Sequence, residues 1–156
     1  MYTNYLFDLY GTLVDIHTDE EKTELWEKLS VFYGFYGAQY TAEELKQSYL
    51  EEVEREKIRQ KQKGSKGIAK KQDDTHEAYP EIELEYVFQN LFIRKGVEAD
   101  LTQSIYAGQM FRIMSTDYIK LYDGAKELLQ SLKAKGKKVY LLSNAQNILP
   151  VMSLSI

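Results

Sequence analysis

Two β-forming runs at opposite ends of the chain constrain its fold more than any other feature. Residues 2–7 lead into Asp8-Leu9-Tyr10-Gly11-Thr12-Leu13, and Lys138-Val139-Tyr140-Leu141-Leu142 leads into Ser143-Asn144. Each passes from apolar β-formers into a polar turn, as a strand does when it reaches the edge of a sheet. Ahead of the second run, Asp123 caps a helix with Ala125, Leu128, Leu129 and Leu132 on one face, and Gly136 ends it. A strand fed by a helix and apolar on both faces belongs in a parallel sheet. Placed side by side, two such strands bring Asp8 and Ser143 to one carboxyl edge, where open α/β sheets bind ligands.

The intervening residues read as helices. Thr18 followed by Glu21 forms a capping box that opens a helix burying Leu25, Leu29, Phe32 and Tyr33, broken at Gly34 and Gly37. A second box, Thr41 to Glu44, opens a helix with Leu45, Tyr49 and Val53 at helical spacing. It fades into the basic stretch Arg55 to Lys71, whose Lys63-Gly64-Ser65-Lys66-Gly67 centre reads as a solvated loop. Pro80 opens a third helix with Val87, Phe88, Leu91 and Phe92 inward. Asp100 caps a fourth, with Leu101, Ile105, Met110 and Met114 available for packing. The expected organisation is an α/β core of residues 1–16 and 117–156 interrupted by a four-helix insert over 17–116.

A chain of 156 residues holds at most two compact units of this kind. With 44% hydrophobic and 28% charged residues it is globular rather than fibrous or disordered. The absence of cysteine excludes disulfides, thiolate nucleophiles and cysteine-bound zinc, and leaves oxygen and nitrogen groups to carry any chemistry. A net charge of −4 gives no electrostatic reason to expect a nucleic acid or an anionic membrane as partner. No run approaches the roughly 18 apolar residues of a membrane span, and no leader sequence is evident, so a cytoplasmic location is expected. His17 and His76 lack metal-ligand spacing. Trp26, Tyr33, Tyr36 and Tyr40 line either a pocket or the helical core, and with 13 tyrosines in the chain the core is the expected place.

The string Tyr5-Leu6-Phe7-Asp8-Leu9-Tyr10-Gly11-Thr12-Leu13-Val14-Asp15 resembles the first motif of the haloacid dehalogenase superfamily. Val139-Tyr140-Leu141-Leu142-Ser143-Asn144-Ala145 resembles the second, and the helical segment between them is similar to that family's cap. The resemblance implies a Rossmann-like core holding a partial parallel sheet, and a Mg²⁺-dependent phosphatase acting on a small phosphate ester. Asp8 would be the nucleophile, forming an aspartyl-phosphate. With a reference pKa of about 3.9, aspartate is ionised at neutral pH without a helper base. Mg²⁺ would be held by the Asp8 carboxylate and the Tyr10 carbonyl. Gly11 and Thr12 would form the loop beneath the phosphoryl group, and Ser143 and Asn144 would donate to phosphate oxygens.

The chain departs from that pattern in two places. The family's phosphatases carry a second aspartate two residues after the nucleophile, and here that position is Tyr10, whose phenol, with a pKa of about 10, is a poor base at neutral pH. An aromatic there resembles the dehalogenating branch, but that branch also wants an early arginine for the substrate carboxylate, and the first arginine here is Arg55. A 2-haloacid dehalogenase and a non-catalytic phosphate-binding fragment are therefore the alternatives. Secondly, the third-motif lysine and fourth-motif acids of the family do not follow Ala145. The apolar tail Ile148-Leu149-Pro150-Val151-Met152-Ser153-Leu154-Ser155-Ile156 can be read as a one-base frameshift of a polar, helix-like peptide. On this reading the chain is truncated, and weak or absent activity is expected of it.

Overall fold

The computed structural model describes residues 2–66 and 82–142. The element order is β1 (Asn4–Asp8), β2 (Val14–Thr18), α1 (Thr23–Phe35), α2 (Ala42–Lys66), α3 (Leu84–Ile93), α4 (Leu101–Ser115), β3 (Thr116–Leu121), α5 (Ala125–Ala134) and β4 (Lys138–Leu142). The protein is thus a mixed α/β fold with a small parallel sheet. As expected, β1 pairs in parallel with β4, in a register running from Asn4 opposite Lys138 to Asp8 opposite Leu142. The α5 helix supplies the crossover between the second pair of strands and β4.

A second sheet was not legible in the sequence. β2 and β3 pair antiparallel, from Val14 opposite Leu121 to Thr18 opposite Thr116, although about a hundred residues separate them in the chain. This pairing overturns the capping box expected at Thr18. Thr18 is engaged in the sheet, α1 starts only at Thr23, and its N-cap Lys22 makes no side-chain capping bond. Asp19 instead closes a local turn, accepting from the Glu21 amide at 2.8 Å.

The four helices α1 to α4 pack around one core of Leu25, Trp26, Leu29, Tyr33, Leu45, Tyr49, Val87, Phe88, Leu91, Phe92 and Phe111 with two small alanines. The inward faces of α1 and α3 fall where helical spacing placed them, with Phe32 only half-buried against the cluster. Thr41 caps α2, its Oγ1 accepting from the Glu44 amide at 3.1 Å. The helix does not fade into a loop at Lys63, however; it runs unbroken to Lys66. Among the described side chains beyond Tyr49, its buried ones are two carboxylates, Glu52 and Glu56. Glu52 accepts from Arg55, Asn90 and Arg94, while Glu56 accepts from Arg59 and Gln60. Apolar periodicity is blind to such a face, because carboxylates bury only when paired. Pro80 lies outside the described residues.

The Asp100 cap on α4 is a complete capping box with Gln103. The helix nevertheless packs through a different face from the one expected. Its buried residues are Ser104, Ala107, Gly108, Phe111 and Ser115, while Leu101 is exposed and Met110 and Met114 sit at the margin. Small residues let neighbouring helices approach, and the Ser104 and Ser115 hydroxyls bond to carbonyls of their own chain segment, Asp100 and Arg112.

A second, smaller core joins Leu13, Val14, Ala125 and Leu129, with Phe7, Leu9, Tyr10, Ile119, Leu121 and Val139 packed against it. Two further expectations fail here. The N-cap of α5 is Gly124 at φ 82°, not Asp123, and Leu128 faces solvent. The β4 run is also less buried than its composition suggests: only Val139 is part-buried, and Tyr140, Leu141 and Leu142, with Leu6 of β1, are exposed.

Candidate functional site

The candidate site begins where β1 ends. Asp8 is the last residue of that strand, exposed, and opposite Leu142 at the end of β4. It therefore stands at the carboxyl edge of a parallel strand pair, the edge at which α/β sheets place ligands. The chain then folds into a closed turn. The Leu13 and Val14 amides both donate to the Leu9 carbonyl, at 3.0 and 2.9 Å, and the Gly11 amide donates to the Val14 carbonyl at 2.9 Å. Gly11 has φ 75°, left-handed backbone that a side chain rarely adopts, although nothing lies within 4 Å of where a Cβ would stand. Its glycine is thus demanded by conformation, not by crowding.

The turn is anchored at both ends. Leu13 and Val14 are buried in the smaller core, with the side chains of Leu9 and Tyr10 packed against it. The Tyr122 amide donates to the Leu13 carbonyl at 3.0 Å, tying the far strand of the hairpin to the same loop. Among the described residues nothing donates to the Asp8 carboxylate or to the Tyr10 carbonyl, so both oxygens are available to a ligand. Asp8, Tyr10, Gly11 and Thr12 thus lie together in one short turn, with Thr12 exposed. Ser143 and Asn144, expected beside them, lie outside the described residues.

The aromatic set belongs to the helical core. Trp26 Nε1 donates to the Glu20 carbonyl at 2.8 Å, the Tyr33 hydroxyl to the Phe88 carbonyl at 2.9 Å, and the Tyr40 hydroxyl to the Leu91 carbonyl at 2.7 Å. Burial pushes the Tyr33 phenol well up, and burial, offset in part by Arg94, pushes Tyr40 up to about 12. Tyr36 packs against Phe32 and Phe92.

The hairpin carries a polar group that periodicity gives no means of finding. Lys22 pairs with Asp117 and donates to the Ser115 carbonyl, and the Asp19 amide donates to the same carbonyl at 2.8 Å. The Lys22 ammonium holds the Asp117 carboxyl below the ordinary aspartate range. His17 stands 3.5 Å from Asp117 and stacks on Tyr118; His76 lies outside the described residues. A cleft of about 340 Å³ on the bundle is lined by Glu52, Arg55, Glu56, Arg59, Asn90, Ile93 and Arg94. Its three guanidinium groups are already answered by carboxylates, so it holds the bundle together and is remote in kind from the Asp8 turn.

The sequence model of a family described as haloacid dehalogenase-like hydrolases matches residues 2–152, nearly the whole chain. The chain belongs to the haloacid dehalogenase-like hydrolase family. No curated protein sequence matches it. Among the described residues of this haloacid dehalogenase-like hydrolase, no three His, Cys, Asp or Glu side chains gather as a metal cluster. The free oxygens at the turn, one carboxylate and one carbonyl, fit a small hard cation that takes oxygen donors and keeps several waters. Among the described residues, no helix is long and apolar enough to cross a membrane.

Proposed function

We propose that this hydrolase acts on a small phosphate ester, with Asp8 as nucleophile and Mg²⁺ as cofactor. The observation that carries the reading is the position of Asp8: the final residue of β1, exposed, unpaired among the described residues, and followed at once by the closed glycine turn. An exposed carboxylate without a cationic partner keeps its lone pairs for attack. The Asp8 carboxylate would attack phosphorus, the ester oxygen would leave, and water would later cleave the aspartyl-phosphate to restore the carboxylate. Mg²⁺, held by the Asp8 carboxylate and the Tyr10 carbonyl, would offset the negative charge that two anionic partners bring together. Gly11 and Thr12 would shape the floor beneath the phosphoryl group, and Ser143 and Asn144 would donate to its oxygens.

In this reading the helical segment 17–116 serves as the cap, carried on the β2–β3 hairpin. Tyr10 enters through its backbone. Its ring packs toward the smaller core, and as a phenol it makes a poor proton carrier at neutral pH. Leaving-group protonation would then be slower by up to ~10²–10⁴ than with a second carboxylate.

The test is Mg²⁺-dependent release of phosphate from a panel of small esters, with Asp8→Asn as control. Release that requires both the metal and Asp8 supports the proposal. Metal-independent release of halide from a 2-haloacid would select the dehalogenase instead, and phosphate binding without turnover would select the binding fragment.

A further inference from the structure

The smaller sheet presents a face that no described residue covers. Its strands pair in parallel, with Asn4 opposite Lys138, Leu6 opposite Tyr140 and Asp8 opposite Leu142. Alternation puts these side chains on one face and Tyr5, Phe7 and Val139 on the other, where Phe7 and Val139 pack against the smaller core. On the open face Leu6 is 64% exposed, Tyr140 50% and Leu142 58%. Two strands covered on one side alone are marginal in water, so removing this apolar row from solvent stabilises the sheet.

The layout of the face says what fits it. Lys138 stands at one end and Asp8 at the other, four residue steps along the strands, or about 13 Å, with the apolar row between them. Among the described residues neither charged group has an ion-pair partner in its own chain. Opposite charges at the two ends make the face complementary to itself once a second copy lies on it with strands reversed. A two-fold axis crossing the strands at the Leu6–Tyr140 row sets each of these residues against its own counterpart. It also brings Lys138 of each copy to the end where the other carries Asp8. Packed sheets lie about 10 Å apart, a gap that a lysine and an aspartate side chain span together. The seating with strands parallel gathers both lysines at one end and both aspartates at the other, and is disfavoured. The face measures only about 16 Å by 10 Å, small beside the roughly 800 Å² that each partner gives to a standard interface, so the pairing is weak and depends on concentration.

We infer that this chain self-associates through the open face of the β1–β4 sheet, strands antiparallel, with Lys138 of each copy beside the partner's Asp8. The pairing stands on the sheet alone and does not need Asp8 to be a nucleophile.

The test mixes unlabelled and ¹⁵N-labelled full chains and treats them with a carbodiimide, which joins an ammonium to a carboxylate without a spacer. Digestion and mass spectrometry locate the links, and sedimentation follows the mass from about 10 μM to about 1 mM. Expected are a mass that rises toward the dimer with concentration, and Lys138–Asp8 links between labelled and unlabelled chains. The separation of about 13 Å forbids that link within one chain. Leu6→Asp, at an exposed position, should weaken association at least tenfold. Lys138→Glu should weaken it about tenfold, and adding Asp8→Lys to that variant should restore it, which damage to the fold would not allow. Monomer mass across the whole range overturns the inference, including the case in which residues 143–156 prove to lie over Leu6. A dimer that lacks the Lys138–Asp8 link between chains overturns it as well.

Discussion

Phe111→Ala should unfold a large part of the bundle's stability, and the structure says why the loss falls at the upper end of the usual range. Phe111 is fully buried on α4, with ring centroids 5.6 Å from Trp26 on α1, 4.9 Å from Tyr49 on α2 and 5.4 Å from Phe88 on α3. It is the ring at which all four helices meet. Truncating a buried phenylalanine to alanine costs about 3–5 kcal/mol, less where neighbours collapse into the cavity. Here collapse would require three helices to shift together, so about 4–5 kcal/mol is expected, roughly a quarter or more of the 5–15 kcal/mol typical of a domain. Urea unfolding followed by tryptophan fluorescence measures it, since Trp26 is the chain's single tryptophan and touches the deleted ring. Phe35→Ala is the control: same residue type, 83% exposed, expected within about 0.5 kcal/mol of the parent. A Phe111→Ala cost below about 1 kcal/mol, or equal costs for the two variants, would refute the packing described.

Arg94→Met removes one of three donors to the buried Glu52 and leaves Arg55 and Asn90 in place; a loss of about 1–3 kcal/mol is expected in urea unfolding, and no loss would show that Glu52 is solvated. Because Tyr40 is raised to about 12, its phenolate is disfavoured in the folded state. Its contribution is intact below about pH 10 and is lost as pH rises toward 12, which ultraviolet titration of the phenol checks against Tyr40→Phe. Gly11→Ala meets no steric neighbour but forces a side chain into left-handed backbone; a cost of about 1–2 kcal/mol is expected, measured by thermal unfolding, with a larger loss of phosphate binding because the turn under the site moves.

The sequence made the β1–β4 pair and most of the bundle legible because their signals are local: apolar runs ending in turns, and helical spacing of large apolar residues at Leu25, Leu29, Val87, Phe88 and Leu91. The β2–β3 hairpin was not, because Val14–Thr18 and Thr116–Leu121 are short and complete one another only across about a hundred residues. Non-local pairing also took Thr18 away from the cap it would otherwise have made. In α2 the buried face passes from Leu45 and Tyr49 to Glu52 and Glu56; Glu52 is held by Asn90 and Arg94 at the end of α3 as well as by Arg55, and Glu56 by Arg59 and Gln60 of its own helix, so apolar spacing does not announce this part of the face. In α4 the small residues Ser104, Ala107 and Gly108 take the inner face because close helix contact, not side-chain size, decides which side turns in. At the candidate site, Asp8 and Gly11 were legible from strand-and-turn chemistry. The anchoring of that turn by Leu13, Val14 and Tyr122 was not, since it depends on the hairpin.

The most direct test of the account is to trap the covalent state of Asp8. The chain is incubated with Mg²⁺ and a reactive small phosphate ester, quenched in acid during turnover, reduced with borohydride, digested and read by mass spectrometry. Asp8 is expected to be converted to homoserine, as an acyl phosphate at that residue would be, and omission of Mg²⁺ or of the ester is expected to prevent it. An unmodified Asp8, or phosphate release that persists in Asp8→Asn, would contradict the assignment of the nucleophile.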